Sequence, residues 1–338
     1  MRIIKTMVVL LLVVVLYELF LRYSPFAQGI TPMEYDAEIG MWHKRNFKGV
    51  ISKSCYHQSY EFDAMGRVKS LVMNDAKSNI VLLGDSQVEA LMVSNESIVH
   101  NRLSEYLNGQ YNVLNYGLSG TGPGQQLIIL KSKIDLKKLE HVIHFVFIEN
   151  DLNDGDSGNF DRINRPKVFV NFSDADHYNI VKPRSYDGIE RVRDFLGQLE
   201  LYVYLKKTVY HYRDLLTSAQ AKPVERVPAE TVSSVIPGSD RLWLNLFGAI
   251  YQANQAAQKN DAKYSVIIYS NDYETEKNST KLNKLTAYLT QQKINFYPLN
   301  PLIENIPALE RGFECDGHWN ASTHDLIAKW LHKIIVKN

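Results

Sequence analysis

Cysteine is nearly absent. Cys55 and Cys315 are the only two in 338 residues, which excludes a disulfide-dense scaffold and a four-cysteine zinc site. A single bridge and two free thiols both stay open, because sequence does not report the Cα separation that a bridge requires. An excess of one charge is missing too. Lys and Arg number 38 against 37 Asp and Glu, so no basic face of the kind that drives phosphate-backbone binding is expected, and nucleic acid is not an expected partner. With 22% charged and 45% apolar residues, the composition is that of a globular protein rather than a disordered, fibrous or polytopic membrane chain. No internal repeat or low-complexity block occurs. At about 150 residues per domain, the length suits two domains or one enlarged α/β domain.

A long apolar run occurs once. Met7 to Leu21 reads MVVLLLVVVLYELFL, interrupted only by Glu18 and preceded by Arg2, Lys5 and the terminal amine. Counted back to Ile3, it reaches the roughly 17 to 25 residues of a tilted transmembrane helix, and the basic start favours an amino terminus inside. Residues 1–27 are therefore expected to be an uncleaved, single-pass anchor in the inner (cytoplasmic) membrane, with the remainder extracytoplasmic, in the periplasm. A cleaved signal peptide is the rival reading, but Ser24, Pro25, Phe26 and Ala27 make a poor small-residue cleavage site. A buried core helix fits less well, since the run shows no polar face at helical period.

Residues 28–78 form an entry segment of mixed polarity without clear period. From Asn79 onward, Val- and Ile-rich runs alternate with helical patterns, as in a parallel sheet covered on both faces. Five strands are expected: Asn79 to Leu83, Tyr111 to Tyr116, His141 to Ile148, Tyr264 to Tyr269 and Ile294 to Tyr297. Helices are expected over Gln87 to Leu107, Gln125 to Leu136, Arg241 to Gln258, Thr280 to Gln291 and Ser322 to Ile335, the last with Ser322 and Asp325 in capping-box spacing. Between the third and fourth strands lies far more chain than a usual connection holds, giving a large helical insertion at about 152–239. Within it Ile189, Val192, Leu196, Leu199 and Val203 recur at helical spacing, followed by Tyr202, Tyr204, Tyr210 and Tyr212. These tyrosines suit a sugar platform, though such stripes are more often core. Thr217 to Ser239, with Pro223, Pro228 and Pro237, reads as irregular linker.

The chemistry-bearing residues fall at strand ends. Asn79 to Ser86 reads NIVLLGDS, which puts Ser86 at the carboxyl end of a strand and the start of a helix, where open α/β sheets bind ligands. Gly155-Asp156-Ser157 spells the same tripeptide among turn residues and lacks that context. Asn115-Tyr116-Gly117-Leu118-Ser119-Gly120 follows the second strand, where glycines let backbone amides approach a ligand. Phe147-Ile148-Glu149-Asn150-Asp151 ends the third strand with a side-chain amide donor. Asp316-Gly317-His318-Trp319-Asn320 supplies an imidazole and a carboxylate before the final helix. Individually these residues could simply cap helices or serve turns; four blocks in order at strand ends favour a shared site. Trp319 could stack on a sugar or pack inside. The Asp151 to Asp156 cluster lacks the calcium-loop pattern and reads as solvated turn. His141 and His144, three apart on a strand, point to opposite faces and cannot share a metal.

The four blocks, in this order, resemble those of the SGNH, or GDSL, hydrolase superfamily, over about residues 79 to 335. The resemblance implies a flavodoxin-like three-layer α/β sandwich, with Ser86 as nucleophile, His318 as general base, Asp316 as its orienting partner, and Gly120, Asn150 and the Ser86 amide as oxyanion hole. It calls for no cofactor and no metal. Two features depart from the usual pattern: Ile148 stands where the third block has glycine, and the catalytic pair is spaced Asp-x-His rather than Asp-x-x-His, as in some relatives that acetylate exopolysaccharide. Tyr35-Asp36-Ala37-Glu38-Ile39-Gly40-Met41-Trp42 and Phe62-Asp63-Ala64-Met65-Gly66-Arg67 are similar to stretches in membrane-anchored bacterial relatives associated with acylation of envelope polysaccharides.

The expectation is therefore an anchor at 1–27, an entry segment at 28–78 and a catalytic domain at 79–338. The activity expected is a serine-dependent O-acyl, first of all O-acetyl, esterase or O-acetyltransferase. It would act on an acylated glycan of the envelope or an exported polysaccharide, with a membrane acyltransferase as an expected partner. The alternative is a non-catalytic glycan-binding or assembly subunit that keeps the fold.

Overall fold

The computed structural model describes residues 1–155, 166–184, 186–220, 239–270 and 276–337. The apolar run forms α1 (Arg2–Tyr23), the one helix among the described residues that is long and apolar enough to cross a membrane. The entry segment, without period in the sequence, is two antiparallel hairpins: β1 (Met33–Asp36) with β2 (Gly40–His43), and β3 (Lys48–Lys53) with β4 (Tyr56–Glu61). Then follow β5 (Asn79–Gly84), α2 (Ser86–Glu89), α3 (Val99–Tyr106), β6 (Asn112–Gly117), α4 (Pro123–Lys133), β7 (Leu139–Phe147) and α5 (Ile148–Asp154). The insertion holds a hairpin of β8 (Phe169–Phe172) and β9 (Tyr178–Val181), then α6 (Gly188–Leu196) and α7 (Glu200–Gln220). The chain ends through α8 (Ser239–Gln258), β10 (Lys263–Tyr269), α9 (Glu276–Gln291), β11 (Asn295–Pro298), α10 (Asn300–Ile303), α11 (Ala308–Arg311) and α12 (Ala321–Lys337).

The five expected strands pair in the order β11-β10-β7-β5-β6, and every neighbouring pair is parallel. In order of appearance this is the 2-1-3-4-5 arrangement, whose switch point lies between the first and third strands, β5 and β7. Strands buried on both faces read as near-continuous apolar runs, and β5 shows why: Val81 and Leu83 join a core with α4, α8 and α9, while Ile80 and Leu82 join a second core with α3 and α12. The result is a three-layer α/β sandwich.

Several sequence expectations need correction. The single helix expected over Gln87 to Leu107 is broken: α2 stops at Ala90, which adopts the left-handed conformation (φ 53°), and α3 begins only at Val99. The buried Asn115 amide donates to the Val88 carbonyl at 2.7 Å, taking an acceptor that a continuous helix would use for itself. Asn320, not Ser322, accepts from the Thr323 amide at the start of α12, and Asp325 is drawn away to Arg102 and Tyr106. The periodic apolar stretch from Ile189 to Val203 is two helices, and Ile189 and Val192 face outward. Tyr210 and Tyr212 are exposed rather than core. Asp151 is no solvated turn residue: it is buried in α5, where its carboxyl accepts from the Phe147 amide at 2.8 Å. Asp156 and Ser157, in the second Gly-Asp-Ser, lie outside the described residues, as does the expected linker from 221 to 238.

Candidate active site

Ser86 stands at the carboxyl end of β5 and opens α2. Asp85 caps that turn, its carboxylate accepting from the Gln87 amide at 3.0 Å. Gly117, opposite on β6, is required by close approach: a Cβ there would meet the Glu89 nitrogen at 2.3 Å. The turn that exposes Ser86 is thus packed directly on the neighbouring strand end.

The loop before α12 brings His318 to this serine. His318 Nε2 lies 2.9 Å from Ser86 Oγ, across 232 residues of sequence. The Trp319 amide donates to the Gln87 side chain at 3.0 Å, tying the loop to α2. Trp319 itself is only 3% exposed and packs against Phe145 and Tyr269; this burial decides against sugar stacking. Behind the imidazole, Nδ1 approaches Asp316 Oδ1 at 3.2 Å but outside hydrogen-bond geometry; that oxygen accepts from the His318 amide at 3.1 Å.

The other oxygen of Asp316 reaches the entry segment, through two residues that the sequence did not mark as part of the site. Tyr56 donates its hydroxyl at 2.7 Å and Lys53 its ammonium at 3.0 Å. Burial pushes the Asp316 carboxyl up, but the Tyr56 hydroxyl, the His318 amide and Lys53 outweigh it and hold the group at about 2, so it is an anion at any ordinary pH. Cys55 and Cys315 form a disulfide with Cα atoms 5.8 Å apart, inside the usual range. It joins the β3–β4 turn to the residue preceding Asp316. The adjacency of Cys55 to Tyr56 and of Cys315 to Asp316 was the one available signal for this arrangement.

Asn150, in the first turn of α5, points its amide at Asp85, with Nδ2 3.1 Å from Asp85 Oδ2. An amide nitrogen carries two hydrogens, and Asp85 takes one of them among the described residues. Burial raises the carboxyl pKa of Asp85. Burial, with Asp85 beside it, raises that of Asp151 well above its ordinary value. Gly120 has φ +72° and open space where a Cβ would stand, so backbone is presented there without a side chain.

A second buried constellation braces this rim. His43 Nε2 lies 2.5 Å from Glu89 Oε1, both nearly inaccessible, and the Ser119 hydroxyl donates to the other Glu89 oxygen. His43 Nδ1 faces the Gly66 carbonyl at 2.9 Å. Glu89, one turn after Ser86, thus links the entry segment, α2 and the residue before Gly120. Both stretches quoted from the entry segment, around Tyr35–Trp42 and Phe62–Arg67, abut this network. The structure therefore brings Ser86, His318 and Asp316 together and sets Asn150 against Asp85 beside the nucleophile. His141 and His144 are separate, bonded to Ser265 and to Tyr264 and Gln126. Among the described residues no group of three metal-binding side chains converges.

No family model matches the chain, and no curated protein matches it. Solved structures do. A psychrotrophic esterase from Pseudoalteromonas is 13% identical, over 77% of this chain and 98% of its own, with a TM-score of 0.42. A GDSL-like lipase from Bacteroides thetaiotaomicron is 13% identical, over 78% and 91%, with a TM-score of 0.38. A carbohydrate acetylesterase from Sinorhizobium meliloti is 11% identical, over 77% and 99%, with a TM-score of 0.36. At such values the likeness assigns no role to any residue. What this chain's own fold and site define is a parallel three-layer α/β protein with serine, histidine and aspartate converging at the carboxyl edge of its sheet.

Proposed function

We propose that this chain is a membrane-anchored serine enzyme of the SGNH type that removes or transfers an O-acyl group, acetyl first, on an envelope or exported polysaccharide. The observation that carries it is the 2.9 Å approach of His318 Nε2 to Ser86 Oγ with Asp316 behind the ring. A serine hydroxyl is a poor nucleophile until an imidazole takes its proton, and an anion behind the ring stabilises the imidazolium that forms.

In this reading Ser86 Oγ attacks the ester carbonyl and His318 Nε2 takes its proton. The oxyanion accepts from the Ser86 and Gly120 amides and from the second Asn150 Nδ2 hydrogen. Collapse expels the sugar hydroxyl with the proton held on His318, leaving an acyl-Ser86. Water, or a second sugar hydroxyl, then attacks the acyl carbon and gives its proton to His318, which passes that proton to Ser86 Oγ as the bond to the acyl carbon breaks. The long Nδ1–Asp316 approach suits a resting site, because catalytic hydrogen bonds often tighten only with substrate bound. For α1, 22 residues at 1.5 Å each make about 33 Å, against a bilayer core of about 30 Å; every side chain up to Tyr17 is exposed, as suits a lipid-facing helix.

The test is a fluorophosphonate probe on the full chain in detergent. The wild type should be labelled and Ser86→Ala should not, with aryl acetate hydrolysis falling by about a thousandfold or more. A folded wild type that takes no label would overturn the enzyme reading. Whether added oligosaccharide diverts acetyl from water to sugar hydroxyls separates transfer from hydrolysis.

A further inference from the structure

We propose that α6 is a second membrane contact: an in-plane helix whose Ile189, Val192 and Phe195 enter the headgroup boundary of the bilayer that α1 crosses. The inference rests on the anchor reading of α1.

The helix is inside out for a soluble protein. Ile189, Val192 and Phe195 recur every third residue and are 72%, 59% and 68% exposed. Glu190 is 7% exposed and paired with Arg184 at 2.5 Å, and Asp194 accepts from the Tyr186 hydroxyl. A surface helix of a water-soluble domain turns its apolar stripe to the core and its charges to solvent. Here the carboxylates hold the helix down and the apolar stripe faces out, with nothing among the described residues covering it. Arg191 and Arg193 are exposed on either side of Val192, the pattern of interfacial helices that pair an apolar face with cations for anionic headgroups.

The position of α6 names the occupant. Its carboxyl end is fastened where α1 ends: Arg22 donates to the Gln198 carbonyl at 2.7 Å, and the Thr31 amide to the Gly197 carbonyl at 2.8 Å. Glu18 of α1 accepts from the Glu200 and Leu201 amides at 3.0 and 2.9 Å. Nine residues at 1.5 Å each make about 13 Å, so the whole apolar stripe stays within that distance of the anchor's exit. Tyr23 and Phe26, 82% and 59% exposed at the same exit, fit the aromatic belt of a bilayer surface. An anchor and an in-plane helix together fix the tilt of the domain, and with it the height of Ser86 above the lipid.

The test uses the full chain reconstituted in phosphatidylethanolamine–phosphatidylglycerol vesicles carrying lipids brominated near the headgroup. An indole introduced by Phe195→Trp should be quenched at least about twofold more than one introduced by Leu309→Trp, Leu309 being 73% exposed on α11. Equal quenching at the two positions, in a chain that stays with the vesicles through alkaline carbonate, overturns the α6 contact and leaves the anchor standing. Release by carbonate overturns the anchor and the contact together. Dimers in light scattering with an unquenched Phe195→Trp indole would make the stripe an interface between copies and overturn the proposal.

Discussion

Tyr56→Phe tests whether the entry hairpin serves the proposed catalytic carboxylate. The substitution removes one hydroxyl and keeps the ring, whose edge-on contact with Phe313 at 5.0 Å is preserved. What is lost is a 2.7 Å donor to Asp316 Oδ2. A hydrogen bond to a charged group contributes about 1.5–3 kcal/mol. The low end applies here, because Lys53 at 3.0 Å still serves the same oxygen and the His318 amide the other. About 1.5 kcal/mol lost from the transition state is about a tenfold fall in kcat. KM should change less than kcat, because the hydroxyl removed is bonded to Asp316. Adding Lys53→Met strips Oδ2 of its remaining side-chain donor and should lower kcat by about a further tenfold. Initial rates on an aryl acetate, with fluorophosphonate labelling to count competent sites, supply the measurement. A kcat within about twofold of wild type for the double variant would refute the idea that the hairpin orients the proposed catalytic aspartate.

Asn150→Ala should lower kcat by about 100- to 1,000-fold if the amide is an oxyanion donor, with fluorophosphonate labelling slowed rather than abolished; an unchanged rate would remove Asn150 from the site. Replacing both Cys55 and Cys315 by Ser opens a bridge spanning 260 residues and should cost about 2–5 kcal/mol in denaturant unfolding, with a fall in kcat as the Tyr56 hairpin loosens from Asp316. Asp151→Asn keeps the acceptor for the Phe147 amide while removing a carboxyl whose pKa burial raises well above its ordinary value. A raised folded pKa gives stability that is complete below the unfolded value near 3.8 and is lost as pH rises through the folded one. The variant should therefore gain on wild type in denaturant midpoint at about pH 8 and differ little at about pH 4; the opposite trend would show that Asp151 is ionised inside the fold.

The parallel sheet was legible because both of its faces are buried: runs such as Ile80-Val81-Leu82-Leu83 carry their own diagnosis, and strand ends marked by Gly84-Asp85-Ser86 and Asn150 follow from chain order alone. The apolar run of α1 was equally plain. The entry hairpins were not, since β3 is half exposed and neither hairpin builds a core of its own: Tyr56 and Tyr60 of the second complete the core with α2, α3 and α12, and Met33, Met41 and Trp42 of the first complete the core with α4, α8 and α9.

Sequence by itself determined the layers of this protein, the positions of the sheet's five strands along the chain, and the residue types that could meet at one sheet edge, because each of these depends on local burial pattern and spacing. Only the tertiary structure decided that His318 lies against Ser86, that Tyr56 and Lys53 of the entry segment hold Asp316, that Glu89 is buried against His43, and that α6 turns its apolar side outward. The first three are pairings between side chains 46 to 263 residues apart, and the fourth is an orientation held by Glu190 on Arg184 and Asp194 on Tyr186. No local periodicity encodes them, because their energy depends on what another part of the chain brings to the same few ångströms.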